Sequence, residues 1–254
     1  MKKNYLYFVF ILLIVSVNLQ AQNDYAYFWK AGNVIAQKSI KPVDLDSITF
    51  KRSSFVTICS QVWSTSNLNV ATYTDGTILP QVTDLTTWLN LTTGAWCYYN
   101  FDSANGAIYG KLYNWYAVAG IYNAASLTNP SLRKKLAPIG WHIPSDAEWT
   151  TLTDCLGGES VAGGKMKETG SAHWKIGNQA SNSSDFRGLP GGNLYLNNGI
   201  SVNFGGIKIY GNWWSSTEYD ATNSKLRVLQ YNIVSCSNLY RNKIYGLSVR
   251  CLKD

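Results

Sequence analysis

Charge is scarce in this sequence. Asp, Glu, Lys and Arg make up only 15% of its 254 residues, against roughly 25% in an average soluble protein, so Asn, Ser, Thr and Tyr must supply much of the surface. The net charge of +7 falls to +5 without Lys2 and Lys3, and no basic run exceeds Arg133-Lys134-Lys135. So diffuse a charge gives nucleic acid no footing, and none is expected as a partner. Histidine is nearly missing too: His142 and His173 are the whole supply, without the His-Glu-x-x-His spacing of a zinc hydrolase. His142, between Trp141 and Ile143, reads as a packed structural histidine bonded to backbone. There is no Gly-x-Ser-x-Gly nucleophile elbow. Ala162-Gly163-Gly164-Lys165 lacks the spacing of a phosphate loop, so nothing points to a nucleotide.

Long apolar runs are absent except at the start. Lys2-Lys3, the apolar run Tyr5 to Val17 and then Asn18-Leu19-Gln20-Ala21 have the three regions of a secretory signal peptide, assigned to residues 1–21. The run is too short to favour a membrane anchor, and no Cys near Ala21 supports a lipid anchor. A secreted or outer-surface protein with no membrane span after cleavage is expected. Five cysteines, Cys59, Cys97, Cys155, Cys236 and Cys251, then suggest disulfides, with at least one thiol unpaired if all pairing is intramolecular. The residue pattern leaves the pairing open.

Residues 22–52 read as a small β-hairpin segment, with short strands at Tyr25–Trp29, Val34–Ala36 and Ile48–Phe50. That is too little chain to bury a core. Residues 53–254 read as one α+β domain. Strands are expected at Val56–Ile58 and Val62–Trp63, a hairpin turn at Asp75-Gly76, a short helix capped by Asp84, a buried strand over Gly94–Tyr99, a wholly buried helix over Leu112–Ala119, and a loop over Ile121–Ala137. Ser145 and Glu148 form a capping box, and Trp149, Leu152 and Leu156 share one helical face. Gly157 to Gly192 reads as an irregular run and a place to look for a binding surface. A hairpin turning at Asn198-Gly199 and strands over Leu226–Ile233 and Leu247–Leu252 complete the chain. In the last strand Leu247, Val249 and Cys251 share one face, with Ser248 and Arg250 on the other.

Five ordered motifs carry a resemblance: Leu112-Tyr-Asn-Trp-Tyr116, Gly140-Trp-His-Ile-Pro-Ser-Asp-Ala-Glu-Trp149, Leu189-Pro-Gly-Gly192, Trp213-Trp-Ser-Ser-Thr-Glu218 and Tyr245-Gly-Leu-Ser-Val-Arg-Cys251. Together they resemble the Fibrobacter succinogenes major paralogous domain, a family of secreted bacterial proteins grouped with the C-type-lectin-like fold. The resemblance implies that fold more firmly than any activity. Ala137 stands where the family usually has a Cys, so the bridge this implies to Cys251 cannot form, and Cys97 becomes its substitute partner. Ile143-Pro-Ser-Asp-Ala-Glu-Trp149 and Gly246-Leu-Ser-Val-Arg250 also resemble the formylglycine-generating sulfatase-modifying enzymes. Those enzymes use a closely spaced reactive thiol pair, whereas Cys236 and Cys251 are fifteen residues apart here. Thiol- or copper-based oxidation is therefore not implied.

Trp213 and Trp214 are adjacent, so in a strand their indoles leave opposite faces. The expectation is that one fills the core while the other, beside Tyr210 and Glu218, offers a surface on which a sugar ring or protein partner stacks. Both indoles buried is the competing outcome, since ten Trp mostly make core. Asp185, Glu218, Asp220 and Asn223 leave a calcium ion open without a supporting motif; the sugar-binding C-type-lectin signatures Glu-Pro-Asn, Gln-Pro-Asp and Trp-Asn-Asp are all missing. No cofactor is expected. The sequence thus reads as an exported, non-catalytic binding or surface-interaction module for a glycan or cell-surface protein. An enzyme of the sulfatase-modifying branch and a structural surface component are the alternatives.

Overall fold

The computed structural model describes residues 25–30, 33–39 and 53–254. The chain divides into two compact units, Met1–Arg52 and Ser53–Asp254. In the first, β1 (Tyr25–Lys30) pairs antiparallel with β2 (Asn33–Ser39), with a register shift at Phe28/Trp29. The strand expected at Ile48–Phe50 lies outside the described residues.

The second unit is mixed α/β, with small sheets and short helices, compatible with the α+β class. In chain order its elements are β3 (Phe55–Ile58), β4 (Gln61–Ser64), α1 (Leu85–Leu89), β5 (Trp96–Cys97), a 3-10 turn at Tyr99–Phe101, α2 (Ser103–Tyr109), β6 (Leu112–Tyr113) and α3 (Trp115–Val118). There follow α4 (Ala124–Thr128), a 3-10 turn at Pro130–Leu132, β7 (Trp141–His142), α5 (Asp146–Cys155), α6 (Glu159–Met166), β8 (Gly191–Asn197), β9 (Ser201–Ile207), β10 (Tyr210–Glu218), β11 (Asn223–Gln230), β12 (Cys236–Asn242) and β13 (Leu252–Lys253). The sheets run β10-β11-β12, β3-β4-β13-β7, β5-β6 and β8-β9.

Local chemistry sets the helix starts. Asp84 accepts from the Thr87 amide at 2.7 Å, and Asn114 from the Ala117 amide at 3.0 Å. At α5 the Ser145 hydroxyl accepts from the Glu148 amide (3.3 Å) while the Glu148 carboxylate accepts from the Ser145 amide (2.7 Å). This reciprocal pair satisfies two otherwise orphaned donors. Trp149 and Leu152 are buried, as is Leu156 beyond the last turn.

Three expectations fail for nameable reasons. Leu112–Ala119 is not one helix. The Asn114 side chain also accepts from the Ala95 amide (3.0 Å) and donates to Thr93 O (2.8 Å), which pins a β6 strand before it and lets α3 start only after it. Ile121–Ala137 contains α4, opened by a capping box of Asn123 and Ser126. Gly157–Gly192 contains α6 despite Gly163 and Gly164, because a Cβ at Gly163 would stand 2.1 Å from Ser235 O. The glycines let the helix backbone touch the loop that leads into β12, a strand the sequence pattern did not mark.

The C-terminal segment is the seam of the unit. Gly246 exchanges backbone bonds with Leu194 of β8, and Leu247 with Tyr113 of β6; the Ser248 amide donates to Asn212 O, and Ser248 O accepts from Trp214, both in β10. Val249 O and Cys251 O accept from the Leu68 and Ser64 amides, and Leu252 pairs with both Trp63 and His142. Both faces of this segment are therefore inside. Leu247, Val249 and Cys251 join one apolar cluster with Trp96, Trp115 and Trp214, while Ser248 and Arg250 are fully buried on the other side. A second cluster holds Trp63, Trp149, Phe186 and Trp213. A third, beneath the β8–β9 hairpin, holds Trp88, Leu112 and Leu194.

The disulfide expected between Cys97 and Cys251 does not exist. Both are buried free thiols in different clusters, Cys97 beside Trp88 and Cys251 beside Trp115. Cys59, in the β3–β4 turn, is instead bonded to Cys155 at the end of α5, with Cα atoms 6.6 Å apart.

Candidate functional site

The β10-β11-β12 sheet has two faces, and strand alternation assigns their residues. One face carries Trp213 and Arg227. Trp213 is fully buried, its ring 5.9 Å from Phe186, and its Nε1 donates to Asn67 Oδ1 at 2.8 Å. Arg227 is fully buried as well, donating to the Asp146 carboxylate (2.9 Å), the Thr150 hydroxyl (2.8 Å) and Glu159. It fastens α5 and α6 to β11.

The opposite face carries Trp214, equally buried, its Nε1 donating to Tyr113 O at 2.8 Å. The tandem indoles do leave opposite faces, but the sheet is covered on both sides, so neither is exposed. Trp213 and Trp214 are therefore not a stacking surface. Glu218 is also engaged, as the ion-pair partner of Lys243, whose ammonium lies 5.0 Å from the Trp115 ring centroid.

Of the predicted residues Tyr210 alone lines a cavity. Beyond the buried Trp214, the same sheet face opens into a groove of about 540 Å³ between Tyr210, Asn212, Val228, Gln230 and Leu239 of the sheet and Asn193, Tyr195, Gly205 and Gly206 of the β8–β9 hairpin. Tyr245, Ser237 and Arg241 also line it. Leu226 and Leu247, at its base, are buried members of the core cluster that holds Trp214. Two glycines make room for its aromatic walls: a Cβ at Gly205 would come within 2.9 Å of the Tyr195 ring, and one at Gly206 (φ +73°) within 2.6 Å of the Tyr210 ring. Asn212 Nδ2 donates to Gly192 O at 3.1 Å and the Tyr245 hydroxyl to Leu196 O at 3.3 Å. Among the described residues the side chains of Tyr195, Tyr210, Gln230 and Ser237 make no hydrogen bond to protein.

This groove is not in the Gly157–Gly192 stretch. The sequence reading missed it, although the Gly205-Gly206 pair inside β9 is the kind of signal that marks close approach of another chain or side chain. What the pair approaches, Tyr195 and Tyr210, is set by tertiary contacts.

Of the remaining polar candidates Asp220 and Asn223 meet, and Asp185 pairs elsewhere. Asp185 lies 3.6 Å from Arg187. Asp220 accepts from the Thr222 and Asn223 amides and from the Asn223 side chain, bonds that hold its carboxyl down to about 2. Among the described residues no group of three or more His, Cys, Asp or Glu is placed to hold a metal. His142 is not bonded to backbone as expected: Nδ1 lies 2.7 Å from the Asp254 carboxylate and Nε2 2.9 Å from Glu148. Burial opposes its charge, but the two carboxylates outweigh this and raise its pKa.

The free thiols are poor nucleophiles. Burial pushes Cys97 far up, and lifts Cys236 to about 12 with Arg227 opposing and Cys251 to about 12 with Arg250 opposing. Thiol chemistry needs the thiolate, which none of these three offers near neutral pH.

The family model described as Fibrobacter succinogenes major domain matches residues 56–253. The chain belongs to that family. The match begins in β3 and ends in β13, so the Fibrobacter succinogenes major domain coincides with the seam-closed unit and contains the whole groove. No curated protein and no solved structure matches the chain significantly.

Proposed function

We propose that this member of the Fibrobacter succinogenes major domain family is an exported, non-catalytic binding module, with a C-type-lectin-like fold and an oligosaccharide held in the groove above β10–β12. The groove carries the reading. Tyr195, Tyr210 and Tyr245 line it together with the amide and hydroxyl groups of Asn193, Gln230 and Ser237. Aromatic faces suit the apolar faces of sugar rings, and uncommitted amides suit their hydroxyls. Export is supported by the leader at residues 1–21 and by the Cys59–Cys155 bond, since disulfides persist mainly in oxidising compartments. The secreted form would carry no membrane span; among the described residues no helix is long and apolar enough to cross a membrane.

Glycan arrays followed by calorimetry on the purified chain test this. A retained oligosaccharide should lose about tenfold or more in affinity in Tyr210→Ala and in Tyr195→Ala, about 1.4 kcal/mol or more each, with the fold intact. Retention of a glycan unaffected by either substitution would place binding elsewhere, and no retained glycan would count against the reading.

A further inference from the structure

Resting on the oligosaccharide reading of the groove, we propose that its ligand is an anionic sugar, carboxylated or sulfated, with Arg241 as the anion-recognising residue. Arg241 is the only formally charged residue among those that line the cavity, and no carboxylate accompanies it. Several other basic groups are committed elsewhere: Lys134 pairs with Asp75, Arg187 with Asp185, Arg227 with Asp146 and Glu159, Lys243 with Glu218; the unpaired lysines, Lys208 among them, do not line the cavity. Arg250 and Lys167 are spent on backbone carbonyls. Arg241 is exposed and makes one bond, from Nη1 to Tyr240 O at 2.8 Å, so its Nε and Nη2 donors are uncommitted among the described residues.

A second observation concerns the cross-strand neighbour of Arg241, a residue outside the lining of the groove. Ser224 faces Arg241 directly in the β11–β12 register, so their side chains share the groove face of the sheet. The Ser224 hydroxyl is buried and has no hydrogen-bond partner among the described residues. A buried polar group left alone is uncommon and asks for an explanation. A planar fork of N–H groups matches the paired oxygens of a carboxylate or sulfate. The remainder of the groove is neutral, so it provides contact area while Arg241 provides the selection by charge.

The test is titration calorimetry of the oxidised chain with four probes at low and moderate salt: oligogalacturonate, a sulfated galacto-oligosaccharide, a neutral oligosaccharide of the same length, and an acidic peptide. At least one acidic sugar should bind tenfold or more tighter than the neutral one and weaken as salt rises. Arg241→Gln should abolish that preference without moving the urea midpoint, because the side chain is exposed. Tyr210→Ala should weaken acidic and neutral sugars alike. Equal binding of acidic and neutral sugars, both lost in Tyr210→Ala, overturns the charge assignment and leaves the oligosaccharide reading standing. An acidic peptide bound as well as the acidic sugar, or an acidic-sugar preference that survives Arg241→Gln, also overturns it. No binding of any probe overturns both.

Discussion

Replacing Arg250 by Met tests the seam on which the unit closes. Its guanidinium is fully buried and makes four bonds: Nε to Asn67 Oδ1 (2.8 Å), Nη1 to Ser64 O (2.6 Å) and Phe186 O (2.9 Å), and Nη2 to Arg187 O (2.9 Å). It also lies 4.6 Å from the Phe186 ring centroid. Among the described residues no carboxylate pairs with it, so two large effects oppose each other. Removing the charge relieves a desolvation penalty of several kcal/mol. It also strands the buried Phe186 carbonyl and the part-buried Ser64 and Arg187 carbonyls, at up to about 1–3 kcal/mol each. Asn67 Oδ1 is not stranded, because Trp213 Nε1 still donates to it. The stranded carbonyls should outweigh the relief and leave a net loss of a few kcal/mol (about 2–4), a large share of the roughly 5–15 kcal/mol that holds a domain folded. Arg250→Lys sharpens the comparison. A single ammonium keeps the charge buried yet cannot span Ser64 O, Phe186 O and Arg187 O together, so Lys should be at least as damaging as Met. Urea unfolding followed by Trp fluorescence, under oxidising conditions, measures both. The cycle with Asn67→Ala should show coupling of about 0.5–3 kcal/mol, as expected for neighbours in one network. A Met variant within 1 kcal/mol of the parent, or a Lys variant that restores it, would refute the reasoning.

Other perturbations follow from the same geometry. Gly163→Ala should destabilise by about 2 kcal/mol or more, because a Cβ there meets backbone, Ser235 O at 2.1 Å, and overpacking against an unyielding partner typically costs about 1–3 kcal/mol; an unchanged urea midpoint would show the α6–β12 approach to be looser than described. Cys59→Ser with Cys155→Ser opens a link between positions 96 residues apart, for which the chain-entropy estimate is about 4–5 kcal/mol; reduction of the parent protein should reproduce the shift, and no shift under either treatment would contradict the bond. The His142 clasp should give a pH-dependent difference between the parent and His142→Gln. Because the folded pKa of His142 is raised above 6.5, its stabilisation is present below about 6.5 and lost as pH rises through the raised value. The depressed Glu148 carboxyl contributes above its unfolded value near 4.5 and loses this as pH falls through the folded one. The gap should therefore peak between about pH 5 and 6.5, stay under about 1 kcal/mol because these groups are solvent-screened, and shrink by pH 9. Urea midpoints from pH 4 to 9 would expose a flat difference, which would contradict the clasp.

Capping and alternation were legible in the residues, and larger associations were not. The Ser145–Glu148 box, the Asp84 cap and the Asn198-Gly199 turn depend on atoms within a few positions of one another, so composition and spacing suffice to find them. The helix at Glu159–Met166 was hidden because Gly163 and Gly164 lower helix propensity, and their reason for being there is a loop about seventy residues further on. Alternation put Ser248 and Arg250 on the face opposite Leu247, Val249 and Cys251, and only the structure shows that face to be enclosed as well. Alternation says that neighbours part company; it does not say what lies on either side.

For the tandem Trp213 and Trp214, the sequence by itself determined that the two indoles must point in opposite directions and that the chain belongs to a family with recognisable motifs. Only the tertiary structure decided that both directions lead into core, that Cys59 rather than Cys97 finds a partner, and that the open surface belongs to Tyr195, Tyr210 and Arg241. The physical reason is range. Hydrogen-bonding caps and strand alternation act between near neighbours in the chain, whereas burial and pairing depend on which distant segments pack against them.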